Sequence, residues 1–371
     1  MKQHHISVIV SRKRFANNIR TLKEYVYPAK LSVVMKADAY GHGLAGLIET
    51  AISAGADSIG ISTNPEAHLV RAVSQDFPLI RLRMALPEEL EESVAELNIE
   101  EQVGTWDASE YLSREGIRRG FPVSVHLTLD TGMGRGGFAF NEIDTIRRVI
   151  ALPGLRIVGV MAHFANADAR TIDYSLTQIQ EFDRFVEALV SELPDDVILH
   201  THNSAATMRL PDLRRDMVRI GAACYGVRTS HHFGNLPDLK PCMMVKTRIT
   251  QVRNIPAETK IGYGSLFITK RPSRIATIPV GFGEGYPRAL FNKGVVLIEG
   301  HRCPVVGRVS LNITTIDVTD LPHVPKWGDE VVLIGDQEDE SVTFEEMADK
   351  FQSVHTEINL MAGSMNKINY Q

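Results

Sequence analysis

Short apolar runs rich in valine and isoleucine alternate with stretches of helical period through the first two thirds of the chain. Runs of strand length cover residues 31–35, 58–62, 79–84, 101–105, 123–129, 156–162, 197–202 and 217–225. Helical segments lie between them, such as residues 45–53, 143–152 and 174–193. In the last, Leu176, Ile179, Phe182, Phe185 and Leu189 recur at steps of three and four, which puts them on one face. This alternation predicts an α/β fold, an N-terminal (β/α)8 TIM-like barrel. A doubly wound open sheet shares the alternation, so it is the count of eight that favours the barrel.

The rhythm changes after about Arg228. Shorter strands follow at residues 243–252, 273–280, 295–298, 305–318 and 330–334, with Pro and Gly between them, predicting a C-terminal all-β domain. Residues 230–241, with Gly234, Asn235, Pro237 and Pro241, read as the linker. The division falls between 1–235 and 236–371.

A length of 371 residues accommodates two to three domains at ~150 residues each. With 44% hydrophobic and 23% charged residues, the composition is that of an ordinary globular protein. No stretch approaches the ~20 apolar residues of a membrane span, and the opening residues carry no secretory pattern, so a cytoplasmic address is expected. Cys224, Cys242 and Cys303 form no C-x-x-C, which argues against a disulfide framework or a structural zinc. The 45 carboxylates against 40 Lys and Arg, without a basic block, argue against nucleic acid as the main partner.

Reactive groups of a barrel sit just past the carboxyl ends of its strands. The first run ends in Lys36-Ala37-Asp38-Ala39-Tyr40-Gly41-His42-Gly43. A lysine closing a strand at the barrel mouth is partly desolvated, which lowers its pKa and suits it to Schiff-base chemistry. A lone loop lysine is ordinarily solvated, so context must distinguish the two.

After the fifth run, Gly132, Gly134 and Gly137 satisfy G-x-G-x-x-G. The dinucleotide fingerprint also wants an acidic residue at the end of the next strand, which here ends in Ala162-His163-Phe164. Asp130-Thr131-Gly132 resembles an aspartic protease signature without the second Asp-Thr-Gly that such chemistry needs. What remains is a turn that can bring Arg135 to an anion, since guanidinium grips a carboxylate with two hydrogen bonds. His200 and His202 lie two residues apart in one run, and no third ligand joins them or His163, so no metal is expected. Small residues late in the eighth run, Gly221-Ala222-Ala223, expose backbone N–H groups where barrels commonly bind phosphate.

The lysine run resembles the pyridoxal-phosphate (PLP) attachment motif of the alanine racemase family. The likeness recurs in order through Asp130-Thr131-Gly132-Met133-Gly134-Arg135, His163-Phe164-Ala165, Asn203-Ser204-Ala205, Val218-Arg219-Ile220-Gly221, Gly262-Tyr263-Gly264, Gly285-Tyr286-Pro287-Arg288 and Val306-Gly307-Arg308-Val309. It implies a PLP barrel with a β domain, working as a head-to-tail homodimer with shared active sites on a small amino acid. By this resemblance Lys36 is the Schiff-base lysine and one proton-transfer base, and Tyr263 from the partner subunit is the second. Inverting Cα requires a proton removed from one face and one returned to the other. His163 backed by Arg219 would tune Tyr263, and Arg219 would face the pyridine nitrogen. Cofactor contacts would come from Tyr40, Asn203, Ser204, Gly221, Ala222 and Thr356. Arg135 and the backbone at Leu311 would hold the substrate carboxylate, with Tyr286, Arg288 and Asn312 at the entrance.

Four departures stand out. Thr128 replaces the lysine that supports the carboxylate-binding arginine in many members, and Ser310-Leu311-Asn312 replaces Cys-Met-Asp. Phe282 and Glu284 alter the run before Gly-Tyr-Pro-Arg, and Thr356-Glu357 stands where the family usually has a Tyr before Glu. A smaller residue there leaves room for a substrate larger than alanine, so a serine or broad-specificity amino-acid racemase is the enzymatic alternative. A single-domain PLP carrier would lack the second domain, and a decarboxylase would want an acid where this chain has Arg219.

Overall fold

The computed structural model describes residues 5–228 and 237–371. Its first strand, β1 (Ile6–Val10), leads into the helix Arg12–Val26, whose N-terminus is capped where Ser11 Oγ accepts the Arg14 N–H. Phe15, Ile19, Leu22 and Val26 bury one face of this helix against the barrel.

All eight anticipated barrel strands form, most of them shorter than their apolar runs: β2 (Lys30–Val34), β3 (Ser58–Ile61), β4 (Leu79–Arg81), β5 (Glu101–Val103), β6 (Val123–Thr128), β7 (Leu155–Met161), β8 (Ile198–His200) and β9 (Met217–Ile220). All pair in parallel, in the orders β4-β3-β2-β9 and β5-β6-β7-β8. The Ile80–Glu100 bridge joins β4 to β5, and the Arg219 N–H donates to the His202 carbonyl at 2.9 Å beside β8 and β9, closing the ring. Leu31, Val33, Ile59 and Ile61 are fully buried, as expected of strands covered on both faces.

The second domain is β-rich and departs from the expected outline in three ways. First, β1 does not belong with the barrel: it pairs antiparallel with β10 (Met243–Arg248) and parallel with Ile368–Tyr370. The edge of the second domain's sheet supplies the backbone partners that a closed barrel cannot offer. The division expected at 235/236 and most of the linker at 230–241 lie outside the described residues. Second, the run at 243–252 splits at a turn into β10 and Gln251–Ile255 on different sheets. The run at 305–318 yields only Thr314–Asp317, because residues 310–313 close a turn in which the Ser310 N–H donates to the Ile313 carbonyl. Third, the helices Phe344–Phe351 and His355–Ser364 join the strands, the first capped by Thr343.

The helix His355–Ser364 seats on the turn that follows Lys36. A Cβ at Gly363 would fall 1.7 Å from the Gly41 carbonyl oxygen, and one at Gly41 would fall 2.5 Å from the Asn359 oxygen. Only two glycines permit this approach, which brings the second domain to the mouth of its own barrel.

His42, His200 and His202 are fully buried. Burial holds His42 and His202 at about 4 and His200 well below the usual imidazole value. All three fold neutral. Below the unfolded value of ~6.5, the unfolded chain takes up protons that these rings refuse, so stability falls with pH from there downward. The melting temperature is expected to be level above about pH 7 and to drop steadily between about pH 6.5 and 5. Unchanged melting across that interval would contradict three neutral buried imidazoles.

Candidate active site

A cavity of about 930 Å³ opens at the carboxyl ends of the barrel strands. Lys36, Tyr40, Arg135, His163, Asn203, Ser204, Arg219, Gly221, Ala222 and Thr356, widely separated in sequence, all line it.

Lys36 follows β2 almost directly. Burial, reinforced by the charges of Arg135 and Arg219, lowers its amine pKa below the usual lysine value. The next four residues, Ala37, Asp38, Ala39 and Tyr40, all have φ between 52° and 54° and form a left-handed turn. For L-residues with a Cβ this conformation costs roughly 1–2 kcal/mol each. Local hydrogen bonds offset part of the cost: Asp38 Oδ1 accepts the Leu44 N–H at 2.6 Å, and the Ala39 N–H donates to the Met35 carbonyl at 2.8 Å. The turn sends the Tyr40 ring back against Tyr225, 5.4 Å between centroids.

Arg219 is buried and lines the cavity with no carboxylate in contact among the described residues. Its Nη1 donates to the His200 carbonyl at 2.7 Å and to His200 Nδ1 at 2.9 Å. Its Nη2 donates to the carbonyls of Ala162 (2.7 Å) and Thr201 (3.2 Å) and to His163 Nδ1 (3.3 Å). Burial lowers its pKa to about 9, which leaves it charged at neutral pH. Guanidinium can only donate, so Nδ1 of both histidines must accept and Nε2 must carry the proton. His200 Nε2 then donates to His126 Nδ1 at 2.9 Å, and His126 Nε2 to Glu100 Oε2 at 2.8 Å. His163, pushed down to about 3 by burial and by Arg219, presents a neutral ring. Gln178 fixes the backbone of its loop, accepting the Ala165 N–H at 2.9 Å and donating to the His163 carbonyl at 3.0 Å.

Opposite Arg219, Tyr40, Ser204 and Ala222 form a cradle. A Cβ at Gly221 would fall 2.4 Å from Tyr40 Oη, so the absent side chain is what gives the phenol its place. The Gly221 N–H donates to Ser204 Oγ at 3.1 Å, while the Ala222 N–H has no partner among the described residues. Burial raises the Tyr40 phenol to about 12, keeping it a proton donor. Asn203 faces its own helix, where Oδ1 accepts the Ala206 N–H at 2.9 Å. Hydroxyls and a free N–H after the last two strands suit a phosphate group.

Arg135 rides on a loop shaped by Asp130, whose Oδ1 accepts the N–H groups of Gly132 and Gly134 at 3.0 Å each. Arg135 makes no hydrogen bond or ion pair among the described residues, and the neighbouring Thr128 Oγ1 is buried without a partner. The guanidinium is therefore available to an anion.

The remaining expected residues lie on the second domain, away from this cavity. Tyr263 sits in a hairpin turn, 72% exposed, and Leu311, Arg288 and Asn312 are exposed as well. Asn312 Nδ2 donates to Glu284 Oε1 at 2.6 Å, so the two departures pair with each other. Tyr286 corrects the expectation of an entrance residue: it is buried in the second-domain core, where the apolar ring packs with Leu290 and Val305. His200 and His126 were visible in sequence only as strand histidines, because their pairing depends on barrel closure. His355, which also lines the cavity, has a buried Nε2 without a partner.

Comparison with known proteins agrees with this geometry. The alanine racemase N-terminal domain family matches residues 10–229, and the alanine racemase C-terminal domain family matches residues 242–370. An alanine racemase of Syntrophobacter fumaroxidans is 37% identical over 97% of this chain and 96% of the relative. A broad specificity amino-acid racemase of Pseudomonas taetrolens is 36% identical over 97% of this chain and 88% of its own. Among solved structures, alanine racemase from Bartonella henselae with covalently bound pyridoxal phosphate superposes with a TM-score of 0.90, 28% identity and full coverage of both chains. With both domain families matched in order and Lys36 and Arg219 facing one cavity, the chain belongs to the alanine racemase family.

Proposed function

We propose that this protein is a PLP-dependent alanine racemase that interconverts L- and D-alanine. The observation that carries the reading is Lys36 and Arg219 in one cavity, a desolvated amine and a buried cation that no acid contacts among the described residues. Bound PLP supplies the electron sink that acidifies the substrate's Cα–H. The lysine holds the cofactor covalently and moves a proton at one face of Cα. Tyr40, Ser204 and the Ala222 N–H would hold the phosphate, and Asn203 positions Ser204 by capping its helix. Arg219, a donor at neutral pH, would face the pyridine nitrogen of a bound cofactor and would favour its unprotonated form, which would limit how far charge is drawn into the ring. Arg135 holds the substrate carboxylate.

The second face needs a second base, and Tyr263 of a neighbouring copy supplies it. Tyr263, Leu266, Ile268, Phe282, Leu311 and Ile313 are all exposed apolar side chains of the second domain, which supports association as a homodimer. The unpartnered Leu311 N–H, and the entrance residues Arg288 and Asn312, reach the neighbouring cavity in the same assembly. The His163 Nε2–H donates to Tyr263 there and favours its ionised form. Three free cysteines accord with a reducing, cytoplasmic address, where the reaction would supply D-alanine.

A broader substrate range is the second reading. Thr356, with Val354 and His355, lines the cavity where a larger tyrosine is usual in the family, and the similarity to a broad specificity racemase points the same way.

Borohydride reduction of the purified enzyme is expected to leave one pyridoxyl group, mapped to Lys36, and Lys36→Ala should carry none. A label on another lysine would remove the basis of the reading. Tyr263→Ala should retain PLP and lose racemisation by about 10²–10⁴-fold, the usual contribution of a general base. Full activity in that variant would refute the two-base assignment. Serine should racemise measurably, since one added group changes discrimination by only ~1–3 kcal/mol. L-serine that stays optically pure at high enzyme concentration would restrict the protein to alanine.

A further inference from the structure

Glu66 belongs to no motif considered above, yet its carboxylate joins two loops at the barrel mouth. Oε2 accepts the N–H groups of Ser62 (2.7 Å) and Thr63 (3.2 Å) at the start of its own helix, Asn64–Val73. Oε1 reaches across to the strand before it in the chain and accepts the N–H groups of Ala37 (2.6 Å) and Asp38 (3.4 Å). These are the first two residues of the left-handed turn. The N–H groups at the start of such a turn point the same way, and one carboxylate oxygen satisfies both.

We propose that Glu66 is a positioning residue for Lys36: its carboxylate locks the strained turn to the loop after β3 and so fixes the direction in which Lys36 enters the cavity. The turn is built from Ala37, Asp38, Ala39 and Tyr40, none of them glycine, so it does not persist on local preference. Asp38 and the helix His355–Ser364 brace its far end. Glu66 alone is bonded to the N–H groups immediately after the lysine among the described residues. All four of its partners are donors, so both oxygens of the side chain serve as acceptors. Glutamine has one acceptor oxygen and would set an NH2 group against one pair of N–H groups.

The inference rests on Lys36 being the PLP residue, and three variants of the full-length protein separate it from that reading. Glu66→Gln is expected to weaken covalent capture of PLP, titrated by its visible absorbance, by about tenfold or more, the loss of one charge-assisted hydrogen bond. It should lower kcat by a similar factor while KM for alanine stays within about twofold, since Arg135 is untouched. Glu66→Asp keeps the charge but is one methylene short of spanning both loops, so it should show a smaller loss of the same kind. Thr63→Ala removes the other half of the helix cap, in which Oγ1 accepts the Glu66 N–H, without touching the turn. It should lower the melting temperature and leave PLP capture and kcat unchanged.

Wild-type capture and kcat in Glu66→Gln would overturn the proposal, as would a Thr63→Ala variant that reproduces the catalytic loss. If Glu66→Gln does not fold, Glu66→Asp decides, and undiminished PLP capture there overturns it equally. A wild-type enzyme whose borohydride label falls elsewhere than Lys36 sinks the functional reading itself, a separate outcome.

Discussion

A permanent positive charge buried at the floor of the barrel organises the site. Arg219 keeps its proton at neutral pH, and no carboxylate among the described residues bonds to it, so its charge must be met by dipoles. Three backbone carbonyls at the ends of β7 and β8 and two imidazoles do this. The consequences spread outward. The tautomers of His163 and His200 are set by accepting from guanidinium, and the chain of bonds runs on through His126 to Glu100 near the surface. Lys36 feels the same charge and is driven toward its neutral, nucleophilic form. An acid at position 219 would reverse these effects together.

The second constraint is geometric. Lys36 leaves a strand and enters a turn that amino acids with side chains avoid, and the turn survives because groups distant in sequence hold it. Glu66 binds its start, and the glycine-to-glycine contact of Gly41 with Gly363 lets a helix of the second domain close over its end. The same helix begins at His355 and carries Thr356 into the cavity. One domain of the chain thus shapes the pocket of its own barrel, while the hairpin bearing Tyr263 turns outward.

The barrel was legible because most of its strands are largely buried and leave short runs rich in Val, Ile and Leu, although β5 is Glu101-Gln102-Val103 and β7 carries the exposed Arg156. The strand β1 was not, since its alternating pattern is short and its partners, β10 and Ile368–Tyr370, lie more than 230 residues away. The helix His355–Ser364 has a weak apolar stripe, because its inner face meets backbone and glycine rather than a hydrophobic core. The resemblance put Tyr286 at the entrance, but its ring fills the second-domain core.

What the sequence determined by itself was chemical identity: a lysine after the first barrel strand, an arginine in the eighth, small residues beside it, and a tyrosine between glycines far downstream. Those choices follow from residue type and order, which a linear pattern records. Only the tertiary structure decided that Lys36, Arg135, His163 and Arg219 share one cavity and Tyr263 stands outside it. It also decided that Glu66 grips the turn, and that His200 passes its proton toward His126. These are distances between residues remote in sequence, fixed by the closure of a ring of strands and by close packing, and no periodicity encodes them.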